Sequence, residues 1–81
     1  KKCFIGHGVN FINDKFQNNN LIMDPKKFLK TIVMDNVKIG SNSTILPVKI
    51  ENNVIIGAGS VVTKNCKKDS TYIGNPAKNK K

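Results

Sequence analysis

Residues 33–66, VMDNVKIGSNSTILPVKIENNVIIGAGSVVTKNC, decide how this chain folds. An aliphatic residue returns there at nearly every sixth position, in the series Val33, Ile39, Ile45, Ile50, Ile56 and Val62. A second series of mostly smaller residues lies four places further on, at Val37, Ser43, Val48, Val54, Ser60 and Cys66. An α-helix repeats every 3.6 residues or so and a half-buried strand about every two, so neither structure reproduces this spacing.

A six-residue repeat predicts a parallel β-helix, in which each repeat supplies one short strand and one corner. Three repeats close a triangular coil, and successive coils stack at about 4.8 Å with the aliphatic residues inside. The step from Ile45 to Ile50 is one residue short, yet Val48 still falls in the small inward place. We interpret this as a corner shortened after Pro47, because corners tolerate deletions better than inward positions do.

Four segments resemble hexapeptide-repeat acyltransferases, which are left-handed parallel β-helices. IGSNST at 39–44, IGAGSVVTK at 56–64 and GNPAK at 74–78 resemble the C-terminal half of such enzymes. FIGHGVNFINDK at 4–15 narrows the resemblance to nucleotide-sugar N-acetyltransferases. The left-handed winding is implied by the resemblance alone, because crossover connections are usually right-handed.

The resemblance implies an enzyme that moves an acetyl group from acetyl-CoA to the amino group of a nucleotide-linked amino sugar, for surface polysaccharide synthesis. It also implies a homotrimer with coenzyme A bound between neighbouring β-helices. We predict one β-helix domain over residues 1–81. Its first coil has no cap in the sequence, so we expect the chain to be the C-terminal part of a longer acyltransferase.

The net charge of +9 raises the question of nucleic acid. The sequence has no recognition-helix pattern and no zinc-ligand spacing, so we predict no nucleic-acid partner. The phosphates of coenzyme A and of a nucleotide sugar account for a basic surface equally well.

The two cysteines, Cys3 and Cys66, are too few for a disulfide framework and match no metal motif. Both fall in small inward places, which predicts two buried free thiols. Free thiols, with no signal peptide and no long apolar segment, favour the cytoplasm and no membrane partner. We predict no metal cofactor.

The repeat is interrupted once. After Phe11 the register fails, because Lys15 falls where a small inward residue is required. We expect a loop excursion at about residues 14–31, and loops of this length usually carry function or are disordered. In the family that the chain resembles, a loop at this point reaches a neighbouring subunit beside the active site. Residues 67–81 are predicted to be a C-terminal cap and tail, with Tyr72 and Ile73 folded over the last coil and Pro76 ending strand pairing.

Acetyl transfer to an amine requires an uncharged amine and a route for the surplus proton. His7 is the only histidine, and imidazole changes charge nearest neutral pH, so His7 is the candidate general base. Asn13 and Asp14 resemble a motif that lines the acceptor-sugar site. Asp14 is predicted to accept a hydrogen bond from the amine or to orient His7. The alternatives are a solvated corner histidine and two ordinary turn residues.

The resemblance also implies the cofactor contacts. Ser41 and Ala58 match positions whose backbone faces the pantetheine arm, Thr63 and Lys64 match a pair that contacts coenzyme A further along, and Lys78 and Lys81 match basic residues near its phosphates. Gly57 and Gly59 have an alternative explanation, because corner geometry alone can require glycine.

Two other classes of function stay open. The first is an O-acetyltransferase of simple sugars or of serine. The second is a truncated, non-catalytic β-helix that serves binding or assembly. The sequence argues against a carbonic anhydrase of the β-helix type, because its zinc site needs three histidines and this sequence has one.

Overall fold

The structure is a computed structural model that describes residues 2–12 and 31–80. Its ten short strands are β1 (Phe4–Ile5), β2 (Asn10–Phe11), β3 (Ile32–Val33), β4 (Lys38–Ile39), β5 (Thr44–Ile45), β6 (Lys49–Ile50), β7 (Ile55–Ile56), β8 (Val61–Val62), β9 (Thr71–Gly74) and β10 (Ala77–Asn79). Residues 13–30, between β2 and β3, lie outside the described part, and so does most of the predicted excursion at 14–31.

The strands form three sheets, which are the three faces of a coiled prism. Face 1 has the order β1-β4-β7-β9-β10, face 2 has β2-β5-β8, and face 3 has β3-β6. All neighbouring strands are parallel except β9 and β10. Because consecutive strands belong to different faces, the chain winds as a parallel β-helix, as the repeat predicts.

The aliphatic series lies inside this prism. Strand register aligns it in three columns, which are Ile5–Ile39–Ile56, Phe11–Ile45–Val62 and Val33–Ile50–Cys66. The core is Val37, Ile39, Ile45, Val48, Ile50, Val54, Ile56, Val62 and Cys66, with Ser43 and Ser60 buried beside it. The predicted inward positions are therefore confirmed, with Val33 only half-buried in the outermost coil.

The shortened corner is confirmed as well. β5 ends at Ile45 and β6 begins at Lys49, and Val48 between them is buried. The deletion removes a corner residue and leaves the inward place filled.

Asparagine ladders support another corner, which lies between faces 3 and 1. Asn36, Asn53 and Asp69 follow one another along the stack, and all three have positive φ near 60°. Asn and Asp tolerate this left-handed conformation better than most residues. Asn36 Nδ2 donates to Asn53 Oδ1 and Asn53 Nδ2 donates to Asp69 Oδ1, both at 2.8 Å.

Cys66 is inward, but in a different place from the predicted one. It pairs with Ile50 by a parallel bridge, so it occupies the aliphatic column of face 3 instead of the small place after Val62. Cys66 N–H donates to the Lys49 carbonyl at 2.9 Å and fixes that register. The corner after Val62 is therefore two residues short, and a small thiol fills the place of an isoleucine.

The prediction that Cys3 is buried is wrong, since this residue is exposed and its thiol donates to the Met34 carbonyl at 3.1 Å. Ile5 and Phe11 head their columns as expected, yet they are 44% and 45% exposed. All three lie in the outermost coil, where the described residues cover only one side. The columns thus extend to the end of the stack without full burial.

The C-terminal segment continues the stack and then reverses. β9 pairs in parallel with β7, and Tyr72 lies beside Ile56 and packs partly buried on the core. Ile73 points outward and is exposed. The prediction that Pro76 ends pairing is wrong, because β10 follows it at once and pairs antiparallel with β9, Ala77 opposite Gly74. Proline lies in the two-residue turn, where the ladder needs no N–H donor from it.

In residues 2–12 and 31–80, we find no helix long and apolar enough to cross a membrane. The same part of the chain holds no cluster of three or more His, Cys, Asp or Glu side chains suited to a metal ion.

Candidate functional site

Three of the predicted site residues lie in a line along one edge of the prism. His7, Ser41 and Ala58 each come two places after an aligned isoleucine of face 1, so they occupy the same place in successive coils. Asn42 N–H donates to the His7 carbonyl at 2.7 Å, and Gly59 N–H donates to the Ser41 carbonyl at 2.9 Å. We call this line the corner ridge. Its residues are spaced by about 4.8 Å, the distance between paired strands.

Glycines keep the ridge narrow because neighbouring coils approach closely there. A Cβ atom on Gly6 would lie 2.7 Å from Ser41 N, and one on Gly40 would lie 2.5 Å from Ala58 N. On Gly57 it would lie 2.8 Å from the Ile73 side chain. At Gly6 and Gly40 no side chain larger than hydrogen fits without separating the coils, and at Gly57 a side chain would have to displace that of Ile73.

Ala58 presents main-chain groups to the outside. Among the described residues, neither its N–H nor its carbonyl has a hydrogen-bond partner, and the residue is exposed. A methyl side chain does not block them. An extended ligand with amide groups could therefore pair with the backbone here, as a strand pairs with a sheet edge.

His7 stands at one end of the ridge. Its side chain is exposed, and its carbonyl is held by Asn42. An exposed imidazole at a corner is free to reach a substrate that lies along the ridge. Asn13 and Asp14 fall outside the described residues, so the predicted proximity of His7 and Asp14 remains a prediction.

Lys78 stands at the other end. It lies in β10 opposite Ile73, and β9 in turn lies on β7, which leads into Ala58. Opposed residues in an antiparallel pair point to the same side, so Lys78 points outward with Ile73. Four inter-strand spacings separate the His7 and Lys78 positions, roughly 19 Å along the stack. Lys81 lies outside the described residues.

Thr63 and Lys64 lie on a different corner. They follow β8, so face 2 separates them from Ala58. Thr63 is half-buried and Lys64 is exposed, and the Cys66 thiol makes a weak bond of 3.7 Å to the Lys64 carbonyl. Within one chain, the structure therefore lines up His7, Ser41 and Ala58, with Lys78 beside the far end of that line. Thr63 and Lys64 lie on another corner, across face 2.

Two buried serines support the ridge from inside and were identified from the sequence only as small residues. Ser43 Oγ donates to the carbonyls of Gly40 and Gly57, at 2.9 and 3.1 Å. Ser60 Oγ accepts a hydrogen bond from Gly74 N–H at 3.2 Å. The available signal was a hydroxyl at inward places that valine fills elsewhere in the repeat.

Cys66 is not a candidate nucleophile. Burial raises the pKa of its thiol to about 11, which keeps the sulfur protonated at neutral pH. Its place in the aliphatic column agrees with a purely structural role.

Comparison with known proteins shows which proteins the chain resembles. A family model, the hexapeptide repeat of succinyl-transferase, matches residues 30–64. The bifunctional protein GlmU of Streptococcus uberis is 41% identical over 71 residues, which is 86% of this chain and 15% of that protein. The structure also resembles a galactoside acetyltransferase in complex with coenzyme A, with a TM-score of 0.84 and 27% identity over 98% of this chain and 41% of the other.

A second solved structure is AntD, an N-acyltransferase from Bacillus cereus in complex with dTDP and 3-hydroxybutyryl-CoA. Its TM-score is 0.81, with 29% identity over 98% of this chain and 47% of AntD. The chain carries the hexapeptide repeat and is similar to hexapeptide-repeat acyltransferases, and its coil is a left-handed parallel β-helix. It spans less than half the length of either solved relative and about a seventh of the GlmU relative.

Proposed function

We propose that this chain binds acetyl-CoA along the corner ridge and serves an N-acetyltransferase that acts on a nucleotide-linked amino sugar. The observation that carries the proposal is that His7, Ser41 and Ala58 follow one another along one edge of the stack, and that Lys78 lies beside this edge at its far end. A base at one end, main-chain groups in the middle and a lysine at the far end match the three parts of acetyl-CoA in order.

The fit can be followed along the ligand. The acetyl thioester lies near His7, and the amides of the pantetheine arm pair with main-chain groups at Ser41 and Ala58. The phosphates lie near Lys78, whose ammonium makes charge-assisted hydrogen bonds to them. The short side chains of Ser41 and Ala58 would allow this close approach, and Gly6 and Gly40 keep the coils of the ridge close together.

The proposed reaction uses His7 as a general base. The imidazole takes a proton from the amine nitrogen as that nitrogen attacks the thioester carbon. A C–N bond forms and the C–S bond breaks, so coenzyme A leaves as a thiolate that then takes up a proton. Asp14 is proposed to orient His7 or the amine, and Asn13 is proposed to line the acceptor site.

Thr63 and Lys64 enter the proposal through a second subunit. A coenzyme A molecule bound between two β-helices would meet the corner ridge of one chain and the Thr63–Lys64 corner of its neighbour. This arrangement gives both sets of predicted cofactor residues, Lys81 included, access to one ligand. It is the reason for proposing a homotrimer, in which each neighbouring pair shares one site.

Relatives support an amino-sugar acceptor. AntD has been solved with dTDP-4-amino-4,6-dideoxyglucose and coenzyme A, at 27% identity over 98% of this chain. A GDP-perosamine N-acetyltransferase from Caulobacter crescentus is 33% identical over 63% of this chain. Both act on or bind amino sugars that carry a nucleotide.

An O-acetyltransferase of simple sugars is the second candidate. Its support is a maltose O-acetyltransferase from Clostridium difficile, with a TM-score of 0.72 and 30% identity over 99% of this chain, together with the galactoside enzyme. Both candidates use the same ridge for the acyl donor. They differ in the acceptor group, so the acceptor must be tested directly.

The test combines binding with acceptor choice in the full-length protein. Isothermal titration should detect coenzyme A binding, and Lys78→Ala should weaken it, whereas Lys49→Ala, which removes an exposed lysine from face 3, should not. With acetyl-CoA saturating, a dTDP-linked amino sugar should be acetylated, and the matching sugar with a hydroxyl in place of the amine should not.

Preferential acetylation of the hydroxyl sugar or of a simple galactoside would instead establish the O-acetyltransferase. A folded protein that binds no coenzyme A would refute both enzymatic candidates and favour a non-catalytic module.

A further inference from the structure

Ser60 occupies an unusual place in the stack. It is fully buried in the column that also contains Ser43, one coil earlier. The Ser43 hydroxyl is engaged by carbonyls within the coils, those of Gly40 and Gly57. Among the described residues, the Ser60 hydroxyl instead accepts a hydrogen bond from Gly74 N–H. The hydroxyl at this position therefore bonds to the coils in the case of Ser43 and to the C-terminal hairpin in the case of Ser60.

Three contacts with Gly57 and Ser60 hold β9 of the hairpin beside the corner ridge. Gly57 N–H donates to the Tyr72 carbonyl at 2.9 Å, and the Ile73 side chain covers Gly57. Gly74 N–H, at the end of β9, donates to Ser60 Oγ. The first two contacts hold the middle of β9, and the third holds the residue at which the chain turns towards β10.

Lys78 depends on that turn. Gly74 pairs with Ala77, and Ile73 pairs with Lys78, so the position of β10 follows the position of Gly74. Gly74 has a φ of 111°, a conformation that most residues avoid, and the Ser60 hydroxyl holds its N–H in that orientation.

We infer that Ser60 is a positioning residue, whose hydroxyl holds the β9–β10 hairpin so that Lys78 meets the phosphates of coenzyme A. This inference rests on the proposed binding of coenzyme A along the ridge. Ser60 is buried and touches no ligand itself. Its effect is transmitted through one hydrogen bond to Gly74 and through the ladder to Lys78.

The inference predicts a selective defect. In the full-length protein, Ser60→Ala should raise the Kd for coenzyme A by roughly 3- to 10-fold, the effect of one lost neutral hydrogen bond. The Kd for pantetheine, which lacks the nucleotide and its phosphates, should not change. The double variant of Ser60→Ala and Lys78→Ala should raise the Kd for coenzyme A no more than Lys78→Ala alone, because both changes act on the same contact.

Two further variants control for loss of stability. Val37→Ala removes a buried side chain at the corner between faces 3 and 1, away from Ser60 and Gly74, so it should destabilise the fold without changing the Kd for coenzyme A. Gly74→Ala disturbs the same hydrogen bond from the hairpin side, through its φ of 111°, and should reproduce the selective defect. It provides the test if Ser60→Ala does not fold.

The outcomes separate the inference from the proposed function. If Lys78→Ala raises the Kd for coenzyme A but neither Ser60→Ala nor Gly74→Ala does, the positioning role of Ser60 is refuted. The proposed binding of coenzyme A along the ridge is then retained. The inference is also refuted if the factors by which Ser60→Ala and Lys78→Ala raise the Kd for coenzyme A multiply in the double variant. It is refuted as well if Ser60→Ala raises the Kd for pantetheine equally. If Lys78→Ala itself leaves the Kd unchanged, the proposed position of coenzyme A fails and the inference fails with it.

Discussion

The asparagine ladder offers a direct test of what holds the coils in register. Asn53 is its central member, and it makes two side-chain hydrogen bonds of 2.8 Å, one from Asn36 and one to Asp69. It also holds a φ of 62° at its corner. Asn53→Gly removes both hydrogen bonds and keeps the left-handed conformation accessible. Asn53→Ala removes them and adds a residue that resists this conformation.

The magnitudes follow from these two losses. Each hydrogen bond contributes about 0.5 to 1.5 kcal/mol, and the lower half applies because the ladder is exposed, so Asn53→Gly should destabilise by roughly 1 to 2 kcal/mol. Alanine in the left-handed region adds about 1 kcal/mol more. For a chain of this size, about 1 kcal/mol lowers the Tm by roughly 4 to 8 °C.

Asn42→Gly is the matched control. Asn42 has a φ of 61° at the corner ridge but takes no part in the ladder, so glycine there changes the flexibility of the unfolded chain equally. The free energy of unfolding should be measured for all three variants by urea titration followed by circular dichroism. If Asn53→Gly is no less stable than Asn42→Gly, the ladder contributes nothing. If Asn53→Ala is no less stable than Asn53→Gly, the left-handed corner carries no strain.

Three other predictions concern the site and the core. His7→Ala should lower turnover with saturating acetyl-CoA by about 10² to 10⁴ while leaving the Kd for coenzyme A nearly unchanged, and wild-type rates across pH 6 to 9 would rule out His7 as the base. Lys64→Ala should raise the Kd for coenzyme A roughly 10- to 100-fold in the assembled protein, and an unchanged Kd would make Lys64 an ordinary solvated lysine. Burial raises the pKa of the Cys66 thiol to about 11 from an ordinary 9.0, so the folded state keeps a proton that the unfolded chain releases at high pH. The free energy of unfolding should therefore fall by up to about 2 to 3 kcal/mol between pH 9 and 11, and Cys66→Ala should lack this part of the decline.

The core was predictable because its signal runs along the chain. Ile39 and Ile56 recur at a spacing that only a three-sided coil explains, and each is buried as the spacing requires. The shortened corner at Pro47 was equally readable, since the next inward residue kept its place. In a solenoid, the spacing of apolar residues therefore predicts which side chains face inward.

Cys66 shows where this reading fails. A cysteine fits either a small inward place or an aliphatic one, so the residue type did not decide between a corner of ordinary length and one two residues shorter. The better signal was Tyr72, six places after Cys66, which continues the aliphatic spacing from the cysteine. The register observed in the structure agrees with that spacing.

The contacts between coils were not predictable in the same way. The ladder through Asn36 and Asn53, and the bond from Gly74 to Ser60, join residues 14 to 17 places apart that share no local pattern. The hairpin was missed for a local reason. From the sequence, Pro76 predicts an end to pairing, but a two-residue turn accommodates proline and pairing resumes after it.

The ridge itself does not distinguish a binding site from a structural edge. Gly6 and Gly40 are required because the next coil leaves no room for a Cβ atom, and Gly57 is required by Ile73. The narrow edge and its exposed main chain therefore follow from packing, with or without a ligand. Packing requires no histidine at the start of the ridge and no lysine beside its last coil. The case for coenzyme A binding consequently rests on His7 and Lys78, and experiments on these two residues, more than on the glycines, decide whether the edge has a function.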